Sequence, residues 1–197
     1  YYLCIFKQKN FVMSKLLLGK SLSEIENIVS LFDAPKYRAK QIYSNLVCGK
    51  SISEMTDIPQ GLKDKLLVEF CDAPVKIIKK LVSKDKTVKY LFELADKNIV
   101  EGVVMDYKYG KTQCLSTQVG CRMGCRFCAS AIGGKLRDLE TGEITDQIIK
   151  AEKDSGLKIS NVVMMGIGEP LDNFENVVRF LKNANHENGL YISARHI

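Results

Sequence analysis

The chain is 197 residues long, 46% hydrophobic and 26% charged, with 14 glycines and 4 prolines; this excludes a disordered, collagen-like or membrane-spanning chain and leaves a globular protein. Its length suits one domain, or a small domain joined to part of a larger one. The net charge of +6 is one-sided: residues 1–90 hold 16 basic and 9 acidic side chains, residues 91–197 hold 13 and 14. A polyanion such as RNA would find its electrostatic footing in the N-terminal part, unless that excess is only a solvated lysine-rich face.

The opening Tyr1-Tyr2-Leu3-Cys4-Ile5-Phe6 run stops at Lys7 with no small-residue cleavage site after it, so it reads as neither a signal peptide nor a membrane span. Met13 offers an internal start, and the expected location is cytoplasmic. Three helices follow. Ser21 and Glu24 form a capping box ahead of Leu22, Ile25, Ile28, Val29 and Phe32 at helical spacing. Asp33-Ala34-Pro35 opens a second helix with Lys36, Arg38 and Lys40 on its basic side, Ala39, Ile42, Tyr43 and Leu46 on its apolar side, and Gly49 at its end. Pro59 starts a third, with Leu62, Leu66, Leu67 and Phe70.

From Val75 the period changes. Residues 75–81, 88–94 and 99–105 are rich in β-branched and aromatic side chains with polar turns between them, which predicts an antiparallel meander. Strand and helix then alternate: a strand over 113–119, a loop rich in cysteine, a helix over 143–154, a strand over 161–165, a helix over 174–184 with Phe174, Val177, Val178 and Leu181 inward, and a third strand from Tyr191. Such alternation specifies a parallel sheet with crossover helices. Two βα units and one strand do not close a barrel, so the sheet reads as unfinished. The expected domains are a basic helical unit (1–72), a β linker (73–108) and an incomplete α/β core (109–197).

Of seven cysteines, Cys4, Cys48 and Cys71 sit among apolar neighbours and read as small core hydrophobes. The other four, Cys114, Cys121, Cys125 and Cys128, fall within 15 residues. Cys121-Arg122-Met123-Gly124-Cys125-Arg126-Phe127-Cys128 has Cys-x3-Cys-x2-Cys spacing. Three thiolates on one loop can wrap one face of an iron–sulfur cube, and Gly120 and Gly124 let the backbone bend tightly enough to aim them. Three ligands leave one iron of a [4Fe-4S] cluster open, which disfavours an electron carrier and suits substrate chelation. Structural zinc, the alternative, wants four closed ligands, and the only histidines are His186 and His196. Strand 161–165 runs into Gly166-Ile167-Gly168-Glu169-Pro170. This loop and the cysteine loop both follow strand carboxyl ends, so they are expected on one rim. A dinucleotide turn is a weak reading because Glu169-Pro170 interrupts the glycine pattern. A helix-capping role for Glu169 is the bland one.

Cys-x3-Cys-x-aromatic-Cys, with Phe127 in the aromatic place, is the signature of the radical S-adenosylmethionine (SAM) superfamily. There the amino and carboxylate groups of SAM chelate the open iron, the reduced cluster splits SAM to a 5'-deoxyadenosyl radical, and the Gly-Glu-Pro glutamate receives the SAM ammonium. Lys36-Tyr37-Arg38-Ala39-Lys40-Gln41-Ile42, Glu54-Met55-Thr56-Asp57-Ile58-Pro59, Cys114-Leu115-Ser116-Thr117-Gln118-Val119-Gly120-Cys121 and Met165-Gly166-Ile167-Gly168-Glu169-Pro170-Leu171-Asp172-Asn173 narrow this further. They resemble the bacterial dual-specificity 23S rRNA and tRNA adenine carbon-2 methyltransferases, from about Leu16 to Ile197. A sister carbon-8 family typically has Gly-Glu-Ala where this chain has Gly168-Glu169-Pro170.

The resemblance implies a partial (β/α) barrel, a [4Fe-4S] cluster held by Cys121, Cys125 and Cys128, and SAM contacts at Phe127, Gly168 and Glu169. It also implies Glu101 as proton acceptor, Cys114 as partner in a transient disulfide, a methyl-cysteine intermediate, 23S rRNA and tRNA as substrates, an electron donor such as flavodoxin, no membrane, and a monomer. From the residues alone, Glu101 is one charge in an otherwise apolar strand, which an outward-facing position explains equally. The methyl-carrying cysteine lies far downstream in that family, and residues 129–197 hold no cysteine. The chain is therefore expected to be an N-terminal fragment that cannot complete the reaction. A zinc-stabilised, non-catalytic RNA-binding module is the competing reading from another class.

Overall fold

The computed structural model describes residues 15–71 and 73–197; Cys4, Met13 and the opening apolar run lie outside them. Three helices come first: α1 (Leu22–Leu31), α2 (Tyr37–Val47) and α3 (Gln60–Glu69). The capping box forms as expected, with the Ser21 N–H donating to the Glu24 carboxylate at 2.7 Å. Gly49 ends α2 in the left-handed region at φ 78°, where its N–H and that of Lys50 donate to the carbonyls of Leu46 and Asn45. Those bonds satisfy two carbonyls that the helix end would otherwise strand. Ile25, Val29, Ala39, Ile42, Leu46, Leu62 and Leu66 pack into one core, whereas Leu67 is turned outward. Cys48 is exposed at the end of α2 and Cys71 is half-buried, so neither fills the core. The helical face admits Leu46 but leaves Cys48, two residues on, pointing to solvent.

The meander forms as β1 (Val75–Val82), β2 (Val88–Leu94) and β3 (Ile99–Tyr107), with both pairings antiparallel. It is not a separate layer. β4 (Gly110–Cys114) turns back against β3, and β7 (Asn161–Val163) pairs parallel to β4, giving one five-stranded sheet in the order β1-β2-β3-β4-β7. The strand expected over 113–119 is broken in two. After Cys114 the chain leaves the sheet, and β5 (Gln118–Gly120) pairs antiparallel with β6 (Lys135–Asp138), the return strand of the cysteine loop. Only β4 and β7 carry the expected parallel alternation, joined through α4 (Thr141–Ser155).

No strand forms at Tyr191. That residue has φ 58°, the Ile192 N–H donates to the Ala184 carbonyl, and residues 194–196 form a 3-10 turn capped by the Ser193 hydroxyl. Those bonds return the segment to the end of α5 (Phe174–Asn185) instead of to a sheet edge. Within α5, Val177, Phe180 and Ala184 are buried, but Phe174 is 59% exposed rather than inward. Tyr90, Phe92, Leu94, Val100, Val104, Ile144, Ile148, Val162 and Phe180 form the second core, and Leu18 and Val47 touch both cores. No helix among the described residues is long and apolar enough to cross a membrane.

α4 buries five polar side chains, Thr141, Glu143, Thr145, Asp146 and Gln147. The Asp146 carboxylate accepts from the Val75 N–H at 3.1 Å and lies 3.9 Å from Lys150 Nζ; burial pushes its carboxyl up to about 6. The folded value exceeds the ordinary one of about 3.9, so the folded protein binds the extra proton between pH ~4 and ~6. The stability this contributes is present at low pH and is lost as pH rises through about 6. Asp146→Asn is therefore expected to gain on wild type by roughly 2–3 kcal/mol between pH 4 and pH 8 in urea unfolding. A difference that is flat over that range would sink the assignment.

Candidate functional site

The parallel pair β4–β7 sends both of its carboxyl ends to one edge of the sheet; the Gly-Glu-Pro loop leaves β7 there, and β4 continues through residues 115–117 and β5 into the cysteine loop. β3 runs antiparallel to β4 with Val103 opposite Cys114. Strand side chains alternate faces, so Glu101 and Cys114 share a face at that same end. Ser116 ties these pieces together. Its hydroxyl donates to the Glu101 carbonyl at 2.6 Å and accepts from the Ile167 N–H at 2.9 Å, and its N–H donates to Gln147 at 3.1 Å. One buried hydroxyl thus joins β3, the Gly-Glu-Pro loop and, through its own backbone, α4.

The glycines do steric work. Gly166 lies against β4's exit so closely that a Cβ there would stand 2.5 Å from the Leu115 carbonyl oxygen. Gly168 has φ 107°, and a Cβ would meet the Gln118 side chain at 2.6 Å. The loop after β7 can therefore press against the segment that leads into the cysteines only without side chains at those two positions.

Gly120 and Gly124 are both left-handed, at φ 74° and 68°, as the expected bends require. Between and after them Cys121 is buried, Cys125 exposed and Cys128 half-buried. The Ser130 hydroxyl and N–H hold the Cys128 thiol below its ordinary value; that favours the thiolate, the form that binds iron. Three thiols on one glycine-hinged loop, one of them biased toward thiolate, fit an iron–sulfur cluster as a donor set. Among the described residues no three His, Cys, Asp or Glu side chains gather into a metal-holding group. Phe127 is 94% exposed, an open aromatic face beside the last cysteine.

Glu169 caps the 3-10 turn over Pro170–Asn173, accepting from the Leu171 N–H at 3.1 Å, so the capping reading holds for one of its oxygens. Its own N–H donates to the Gln118 side chain at 2.9 Å. Burial pushes the Cys114 thiol up, which keeps it protonated near neutrality. The Glu101 carboxylate is half-exposed and paired with Lys89 Nζ at 2.8 Å.

Gln118, Arg122, Lys135 and Asp172 escaped the sequence reading, although all four lie in or beside the motifs. The Asp172 carboxylate, 8% exposed, accepts from Gln118 and Lys135 at 2.9 Å each and pairs with Arg122. These three donors hold it well below the usual carboxylate range. Arg137 of β6 forks onto Glu143 at 2.8 Å per arm and reaches Asp96 at 2.6 Å.

No protein-family model matches the chain. Proteins named "Probable dual-specificity RNA methyltransferase RlmN" do. The one from Alkaliphilus oremlandii is 50% identical over 183 residues, covering 92% of this chain and 53% of that protein. Those from Caldanaerobacter subterraneus and Clostridioides difficile are each 49% identical, over 185 and 176 residues. The chain spans about half the length of these relatives. The crystal structure of a radical SAM methyltransferase from Sphaerobacter thermophilus superposes with a TM-score of 0.85 at 32% identity, over 92% of this chain and 55% of that one. Over the half-length it spans, the chain is similar in sequence to proteins named dual-specificity RNA methyltransferase RlmN and shares the α/β fold of a radical SAM methyltransferase.

Proposed function

We propose that these residues are the cluster- and SAM-holding part of a radical SAM RNA methyltransferase that methylates carbon-2 of an adenine in 23S rRNA and tRNA. The observation that carries this reading is the meeting, beyond the carboxyl ends of the parallel pair β4–β7, of the Gly-Glu-Pro loop with the segment and strand β5 that lead into the three-cysteine loop. Cys121, Cys125 and Cys128 would hold a [4Fe-4S] cluster, and Phe127, Gly168 and Glu169 would hold SAM. When bound, those groups supply the radical chemistry.

The chain's own residues bind, orient and move protons. Glu169 has one oxygen occupied by the Leu171 N–H, and the other would receive an ammonium group. Glu101 and Cys114, on one face of the sheet at this rim, would accept the ring proton and assist product release. Cys114 stays a neutral thiol until it is needed. The methyl-carrying cysteine and the rest of the partial barrel are assigned to sequence beyond these residues, so the complete reaction belongs to the longer protein. Residues 1–72 would serve as the RNA-contacting unit, 73–108 as the connecting strands and 109–197 as the first part of the core. Gly-Glu-Pro favours carbon-2 over carbon-8. The protein would work in the cytoplasm as a monomer, reduced by a donor such as flavodoxin.

Anaerobic reconstitution with ferrous iron and sulfide tests the reading. The expected result is a brown protein with about four irons per chain, whose reduced-cluster spectrum shifts when SAM is added. A colourless protein holding one zinc would overturn it.

A further inference from the structure

We propose that Asp172 is a positioning residue that fastens the cysteine loop to the Gly-Glu-Pro loop, an inference that rests on the function proposed above. Its three donors originate at three separate points of the cysteine loop and its stems. Gln118 stands on β5, which leads into the cysteine loop; Arg122 lies inside the loop, directly after Cys121; Lys135 opens β6, which leads out. One carboxylate therefore grips both stems of the loop and its interior. Asp172 itself sits in the 3-10 turn begun by Glu169, its N–H donating to the Glu169 carbonyl at 3.0 Å. Gln118 closes the circuit by accepting from the Glu169 N–H at 2.9 Å while donating to Asp172. Any shift of the cysteine loop against Glu169 must break a charge-assisted bond to a carboxylate that is only 8% exposed.

Elsewhere the cysteine loop is thinly held. Residues 122–127 are all exposed, and Cβ atoms at Gly124, Gly133 and Gly134 would meet nothing. The backbone bonds inside it, Cys128 to Cys125, Ile132 to Ala129 and Gly134 to Ala131, are local turns. They curl the loop without fixing its place on the sheet; its stems are tied to the second loop by the Ile167 carbonyl, which accepts from the Thr117 and Gln118 N–H groups, and by Asn173, and Asp172 adds a side-chain tie that, through Arg122, reaches the loop's interior. Asp138 shares two of the donors, Gln118 at 2.7 Å and Lys135 at 2.8 Å. Arg122, by contrast, donates across to the second loop.

The test uses the 197-residue chain. In the metal-free protein, amide hydrogen exchange is compared among wild type, Asp172→Asn and Arg122→Ala. The last alters a side chain that is two-thirds exposed and carries little risk to the fold. Both variants are expected to exchange about tenfold faster over residues 121–134, with the β1–β4 amides unchanged, and the double variant to add little to Asp172→Asn. In the reconstituted protein, Asp172→Asn is expected to weaken the SAM-induced spectral shift, with half-saturation at about tenfold higher SAM. Unchanged loop exchange, a uniform rise across the whole chain, or unaltered SAM half-saturation each overturns the proposal. A wild-type chain that takes up no iron defeats the proposed function instead, while loop exchange still decides whether Asp172 is the fastening.

Discussion

Replacing Cys121, Cys125 or Cys128 singly by alanine is expected to cut the iron retained after anaerobic reconstitution and gel filtration by about tenfold or more. Cys48→Ala, at an exposed helix end remote in sequence from the loop, leaves it unchanged. Denticity sets the size of the loss: if these three thiolates hold the cluster, removing one leaves two. Cys114→Ala separates two roles. Its thiol lies in the sheet face and is raised by burial, so iron content should stay at the wild-type level. Iron loss in Cys114→Ala equal to that in Cys128→Ala would mean that the ligand set has been misassigned.

The largest expected loss of stability comes from Arg137. Its guanidinium is 19% exposed, bidentate on Glu143, which is 5% exposed, and bonded to Asp96, which is 17% exposed. Glu143 also closes the capping box of α4 by accepting from the Glu140 N–H at 2.9 Å. Arg137→Met removes the cation and leaves two carboxylates close together and largely out of water. Breaking such a pair from one side costs about 3–5 kcal/mol, or roughly 10 °C in Tm for a chain of this size. Arg137→Lys should recover only part of the loss, since an ammonium cannot serve the fork and Asp96 together. Urea unfolding at pH 7 measures both; a loss under 1 kcal/mol for Arg137→Met would show the network to be solvated. Because β6 is the return strand of the cysteine loop, the same variant should also loosen the site.

The elements that were readable from sequence are those whose signals are local. Ser21 with Glu24 marked α1, Gly49 marked the end of α2, and the β-branched and aromatic runs over 75–105 with polar turns between them marked the meander, because caps, left-handed turns and strand propensity depend on near neighbours. The misreadings share the opposite cause. The run 113–119 is apolar and polar in a strand-like pattern throughout, yet it splits at Leu115–Thr117 because Ser116 is drawn to Glu101, Ile167 and Gln147, residues 15 to 51 positions away. Tyr191 looked like a strand start, but a strand needs an edge to pair with, and that segment instead bonds back to α5. Phe174 fits the helical stripe, yet it sits at the first turn, beyond the reach of the core.

The basic bias of the first 90 residues, the Cys-x3-Cys-x2-Cys spacing and the Gly-Glu-Pro loop were fixed by sequence alone, and with them the chemistry the protein can support. Spacing along the chain decides which ligands one loop can offer. Tertiary structure decided that β5 stands between β4 and the cysteine loop and is tied to the Gly-Glu-Pro loop, that Glu101 and Cys114 share a face, and that Asp172 spans Gln118, Arg122 and Lys135. A carboxylate's partners are set by which side chains the fold delivers within about 3 Å. No pattern in the sequence encodes a contact across 37 to 54 residues.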